Sequence, residues 1–265
     1  MLPHIIRCGG PKGKRKPIAW VNPSAADFNA VNNRFLPGDT ITFTRTAPEY
    51  TDQSFTLPLN NAKRMQFTID GAQGGKDGLS FNTFGAGQVG ARSTATIDIA
   101  TLQTTYPSQS SLLVYLGGKG ENAGGHDGGG TGGRGGANGG GKGWGSGGPG
   151  GGGRTDVRRT ASNTTEVLVA AGGGAGASGS VGNSVGNQNG VRVNGSDGGG
   201  GMVGDYWADT GGGGGGYYGG QSEFGDDPSR SYGGSSWADP ACTTGVTLSV
   251  GGGGGTGFAY ITILA

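Results

Sequence analysis

The chain has 265 residues, 66 of them glycine, a net charge of +1, two histidines and two cysteines. The near-zero charge excludes a whole-molecule field for nucleic acid or acidic membranes, and so few cysteines exclude a disulfide scaffold, so Cys8 and Cys242 are expected as free thiols. No apolar run approaches the roughly 18 residues of a membrane span and residues 1–6 open no signal-peptide core, so the expectation is synthesis in the cytoplasm without ordinary secretion.

Residues 1–33 are polar and punctuated by proline. Arg7, Lys12, Lys14, Arg15 and Lys16 crowd before Pro17, a short basic arm of the kind that docks on a partner protein. Ser24 is placed to cap one or two helical turns over 25–31. From Arg34 the pattern becomes β: residues 40–44 alternate with period two, and 53–59 and 65–69 follow as further strands. Pro37-Gly38-Asp39 and Ala47-Pro48-Glu49 read as breaks between them. Residues 94–100 predict a strand with Ile97 and Ile99 on one face, and 111–116 a buried strand. Residues 165–171 run straight into Gly172-Gly173-Gly174, and 248–250 into the glycines of 251–255. The last segment alternates Phe258, Tyr260 and Thr262 against Ala259, Ile261 and Ile263. Strands that run repeatedly into polyglycine predict an all-β sandwich from which glycine segments extend, with little or no α-helix. The expected division is an attachment region over 1–64 and a glycine-rich domain over 65–265.

Of the 66 glycines, 55 fall in residues 117–265. Glycine and proline together make up roughly 29% of the chain, a proportion also found in low-complexity sequence. Apolar segments at 112–116, 167–171, 246–250 and 258–264 speak for order, because flexible glycine linkers rarely carry them. A run without side chains can be fixed as a polyproline II-type helix, which has three residues per turn and no internal hydrogen bonds. Its amides and carbonyls must then pair with neighbouring segments. Residues 211–216 are expected as the innermost rod of such a bundle, about 19 Å long at ~3.1 Å per residue. Its expected neighbours are the glycines of 128–130, 132–148, 150–153, 172–174, 198–201 and 251–255.

Two segments between the runs, 202–210 and 221–244, carry aromatics and carboxylates. Rings on loops held by a rigid scaffold are the usual material of recognition surfaces. Tyr206, Trp207, Phe224, Asp226, Asp227, Tyr232 and Trp237 are accordingly the receptor-binding candidates. Trp144, Tyr217 and Tyr218 lie directly in glycine runs and are expected to cap the ends of the bundle. Enzymatic signals are weak. Residues 136–142 match a phosphate-binding loop as far as its lysine, but Gly143 stands where a serine or threonine is needed and no helix follows. His4 and His126 are the only histidines, too few for a His/Cys metal cluster or a Ser–His–Asp site. Asp226-Asp227 reads as solvated loop charge. The expectation is no catalysis, no metal and no cofactor.

Several stretches, taken in order, resemble the glycine-rich domain family. They are Phe67-Thr68-Ile69-Asp70-Gly71-Ala72-Gln73-Gly74-Gly75, then Val167-Leu168-Val169-Ala170-Ala171 before Gly172, then Asn194-Gly195-Ser196-Asp197 before Gly198, the glycines leading to Tyr217-Tyr218, and 257–263. That family is known from the extracellular part of anaplastic lymphoma kinase-type receptors and from bacterial and phage proteins. The resemblance covers 67–265 and implies a β-sandwich of tumour-necrosis-factor-like type with an inserted polyglycine-helix bundle. The receptors' cysteines and signal peptide are missing. In plan the chain also resembles the tail-fibre-tip adhesins of T-even-like phages. That resemblance implies a phage receptor-binding protein in the virion, at the tip of a tail fibre or spike. It implies attachment to a tail-fibre or other virion protein through the N-terminal region, with Arg7, Lys12, Lys14, Arg15 and Lys16 as candidates. Loops would touch a bacterial outer-membrane protein or surface glycan, with no nucleic-acid partner and no membrane insertion. The alternative expectation is a structural or decoration protein of the virion.

Overall fold

A computed structural model describes residues 15–32, 34–59, 61–76, 87–123, 132–144, 148–161, 166–176, 200–203, 206–209, 211–223 and 230–265. Among the described residues the chain is mostly β, with two short helices. One sheet has six strands in the order β1 (Ala19–Val21), β2 (Thr40–Thr44), β15 (Phe258–Leu264), β4 (Arg64–Asp70), β5 (Gly90–Asp98) and β14 (Thr243–Gly253). The other has five, in the order β13 (Trp237–Ala238), β8 (Val167–Ala171), β7 (Thr155–Arg158), β6 (Ser111–Tyr115) and β3 (Ser54–Pro58). Two small hairpins pair β9 (Gly200–Val203) with β10 (Tyr206–Asp209), and β11 (Ser222–Glu223) with β12 (Arg230–Ser231).

The period-two patterns become the two faces of the first sheet. Ile41 and Phe43 of β2, Met65, Phe67 and Ile69 of β4, and Ala259, Ile261 and Ile263 of β15 are buried, while Thr40, Thr42, Tyr260 and Thr262 look outward. One apolar cluster joins them to Leu57, Leu112, Val114, Val157 and Leu168 of the second sheet. At roughly 1.5–3 kcal/mol per buried aliphatic or aromatic side chain, this burial is the main force holding the two sheets together. Residues on both sides of position 64 take part: β2 pairs with β15 and β3 with β6.

Helix α1 (Ala25–Ala30) follows its cap as expected, since Ser24 and Asp27 form a reciprocal capping box. It turns Phe28 inward against Trp20 and Phe35, with ring centroids 5.7–6.0 Å apart. Helix α2 (Ile99–Thr105) replaces the last residues of a predicted strand. The Asp98 carboxylate accepts the Thr101 amide at 2.8 Å, so β5 stops there and Ile99 and Leu102, three apart, are buried on one helical face. Strand β7 was not legible because Thr-Asp-Val-Arg has a single apolar residue. Its charges are buried against each other: Asp156 accepts from Arg154 and, at 2.9 Å, from Arg158. The Arg158 guanidinium also lies 3.8 Å from the Tyr115 ring centroid and reaches Asn138.

Between the strands the glycine segments bond to one another through their backbones, and the bonds recur every third residue. Gly133 and Gly136 donate to Gly148 and Gly151, Gly212 and Gly215 to Pro149 and Gly152, and Gly75 and Ala72 to Gly150 and Gly153. Residues 148–153 exchange such bonds with six other segments: 71–76, 117–121, 132–137, 139–143, 172–176 and 211–216. The innermost segment is therefore 148–153 and not 211–216, whose partners include the chain's own return through 219–221 and 232–234. Glycine is required in this interior by space: a Cβ on Gly152 would press into the Ala72 carbonyl, and one on Gly153 into that of Ala137. Two expected glycine runs are strand instead, because 251–253 end β14 opposite Gly90 and 200–201 open β9. Residues 128–130 and 198–199 lie outside the described residues.

Candidate recognition surface

The strands give every glycine segment a direction. β4, β6 and β8 run out of the sheets into 71–76, 117–121 and 172–176, while 87–89 and 148–153 run back into β5 and β7. The far ends of these segments are mutual neighbours. Ala123 donates to Lys76 at 3.0 Å, Gln88 to Ala175 at 3.1 Å, Gly133 to Gly148 at 2.9 Å, Gly143 to Gly133 at 2.8 Å, and Gly176 to Gly212 at 3.0 Å. The chain thus leaves the described glycine segments at Lys76, Ala123, Trp144 and Gly176 and returns at Gly87, Gly132, Gly148 and Gly211, all at one end, the tip.

Two hairpins adjoin that same end: β10 precedes Gly211, and a reversal at Tyr217-Tyr218 turns the chain back before β11. The Gly220 amide returns beside Gly214, donating to its carbonyl at 2.8 Å, and Tyr232 donates to Gln221 at 2.8 Å. β10 therefore enters the 211–216 segment from the tip, and β11 leaves toward it. This places the backbone of two candidates, Tyr206 opposite Val203 and Trp207 opposite Met202, beside the tip. Phe224, Asp226 and Asp227 fall between β11 and β12, outside the described residues. Tyr232 is half-buried, its backbone held between Gln221 and Gly214.

Trp237 is separated from the other candidates. It lies on β13 at the sheet end, opposite Ala170, and stacks on Tyr217 with centroids 4.2 Å apart and planes 11° from parallel. Tyr218 meets Tyr217 edge-on at 5.1 Å. Ser235 ties the three rings together, since its hydroxyl accepts the Tyr218 amide at 2.7 Å and its carbonyl the Tyr217 amide at 2.9 Å. Just beyond, the Asp239 carboxylate accepts the Tyr106 hydroxyl at 3.1 Å and the Ala241 amide at 2.9 Å. Burial, reinforced by this carboxylate, pushes the Cys242 thiol up to about 12. Tyr217 and Tyr218 therefore close an end of the glycine region as expected, and Trp237 belongs with them.

Trp144 does not bury its ring against glycine backbone. It lies at the tip, 51% exposed, and its carbonyl accepts the Gly148 amide at 3.0 Å. The physical reason is the tightness of the packing: the space beside Gly132 and Gly143 is filled by backbone, which leaves none for a ring. Lys76 and Lys142, exposed at the same end, were not among the receptor-binding candidates.

The opposite pole holds Arg15 and Lys16, the two N-terminal candidates among the described residues. Arg15 is a fastening of the fold: it grips Asp39 with two bonds of 3.1 and 2.7 Å, donates to the Arg34 carbonyl at 2.9 Å, and lies 5.9 Å from the Trp20 ring centroid. Lys16 is exposed. Arg7, Cys8, Lys12 and Lys14 lie outside the described residues. Cys242 is a buried free thiol. Among the described residues no three His, Cys, Asp or Glu side chains converge as metal ligands would. No family model matches the chain, and no curated protein is detectably similar to it.

Proposed function

We propose that this protein is a phage receptor-binding protein, an adhesin at the tip of a tail fibre or spike, that touches a bacterial surface receptor with the chain segments gathered at the tip. The observation that carries the reading is polarity. Departures and returns of the glycine segments cluster at one pole, while Arg15 and Ala265 lie at the other, Ala265 held by Arg64 at 2.9 Å. A rigid scaffold anchored at one pole presents binding segments at the other with little ordering entropy to lose on binding. Trp207 and the exposed Trp144 are the aromatic anchors of this reading. Trp237 is assigned to the scaffold.

The three-residue recurrence of the bonds supports glycine segments in the polyproline II conformation, inserted in a sandwich of tumour-necrosis-factor-like type. NMR dihedrals for Gly150–Gly153 near about −75° and +145° would bear this out; β-region values near −140° would remove it. The functional test is adsorption of labelled full-length protein to a panel of bacterial strains. Strain-specific binding that falls about tenfold or more in Trp144→Ala or Trp207→Ala, with the unfolding midpoint unchanged, is the expected result. Binding to no strain would sink the adhesin reading.

A further inference from the structure

We infer that the pole opposite the tip is a docking surface for an acidic protein partner, built from Lys16, Arg34, Lys63 and Arg64. The inference deepens the attachment half of the reading above. These cations come from three separate parts of the sequence, and the fold draws them together. Arg15 donates to the Arg34 carbonyl, and the Phe35 amide donates at 3.2 Å to the side chain of Asn61, two residues before Lys63. The Gly38 amide reaches the Ile263 carbonyl at 2.9 Å, next to the strand end where Arg64 holds Ala265. All four cations are exposed.

The carboxylates at this pole are already used. Asp39 is buried and takes Arg15 together with the amides of Ile18 and Leu36 at 2.8 and 2.7 Å. Asp98, opposite Arg64 in register, caps α2. Among the described residues Lys16, Arg34 and Lys63 make no ion pair. With the charges of Asp39 and Asp98 counted against Arg15, Lys16, Arg34, Lys63 and Arg64, the pole keeps a net positive charge on a chain whose total is only +1. Complementary charge steers encounter and fixes orientation. A protein fits better than a single-stranded nucleic acid, because the rings near this pole, Trp20, Phe28 and Phe35, pack on one another and offer unpaired bases no stacking platform.

The test compares the full-length protein with a Lys16→Glu/Arg34→Glu/Lys63→Glu variant, using immobilised poly-L-glutamate and a short DNA duplex as probes. Arg64 is kept because it bonds Ala265. The expected result is binding to poly-L-glutamate that weakens steeply with added salt and falls about tenfold or more in the variant, with strain-specific cell adsorption unchanged. Equal affinity of both proteins for poly-L-glutamate, or a wild-type preference for DNA, would overturn the inference. Should the triple variant unfold, the exposed single change Lys16→Glu carries the same comparison with a smaller expected loss. Cell adsorption is measured separately, so a failure of binding at the tip leaves the poly-L-glutamate result for this pole intact.

Discussion

In the sheets Ile41, Phe67 and Ile261 fill the interior with side chains, whereas in the glycine region the glycines of 150–153 have backbone as their nearest neighbours. The first kind of interior is held by apolar area removed from water and tolerates volume-conserving change. The second is held by amide–carbonyl bonds worth about 1 kcal/mol each net, offset by the large backbone entropy that glycine loses on ordering. It has no side-chain slack to absorb an added atom.

The largest effect is expected where the two regions meet. Asp156→Ala strands two buried arginines beside the innermost segment and should cost roughly 3–5 kcal/mol in urea unfolding. Next, Gly152→Ala should cost about 3 kcal/mol, because its Cβ meets backbone that cannot turn away. Gly254→Ala, where a Cβ has room, should stay within ~0.5 kcal/mol. Ile261→Val in the sheet core should cost about 1 kcal/mol. If Gly152→Ala were no worse than Ile261→Val, the contrast between the two interiors would fail. A further effect is with pH. Cys242 is raised from its ordinary value of 9.0 to about 12 in the folded chain, so its contribution is complete below pH 9 and is lost as pH rises toward 12. Cys242→Ala should flatten that alkaline decline, and in a Cys8→Ser background the Cys242 thiol should resist a thiol reagent at pH 8 until the protein unfolds.

The sheets were legible wherever one face alternates: β2, β4 and β15 sit where their patterns place them. Helix α1 was legible from Ser24, whereas α2 was hidden because Ile97 and Ile99 suit a strand until Asp98 is seen capping Thr101. β7 was hidden because its charged side chains are buried only by pairing with each other, with the adjacent Arg154 and with the distant Asn138. Within the glycine region composition announced close packing but not its order. The length of a run does not tell which run is central, so the six glycines of 211–216 drew attention from Gly150, Gly151, Gly152 and Gly153. For the candidate surface, composition alone named Tyr206 and Trp207, and the structure adds their pairing on β10 opposite β9. Trp144 was misassigned because burial against glycine backbone requires a gap that this packing lacks.

The cross-links of the glycine region also have a mechanical meaning. The bonds from residues 148–153 run sideways to their neighbours, across the line that joins the tip to the opposite pole. A pull along that line loads them in shear, many at once, so that no single bond sits at an opening front. A pull applied sideways at the tip would instead peel the segments apart in sequence. The molecule should therefore bear tension best along the axis defined by its two poles.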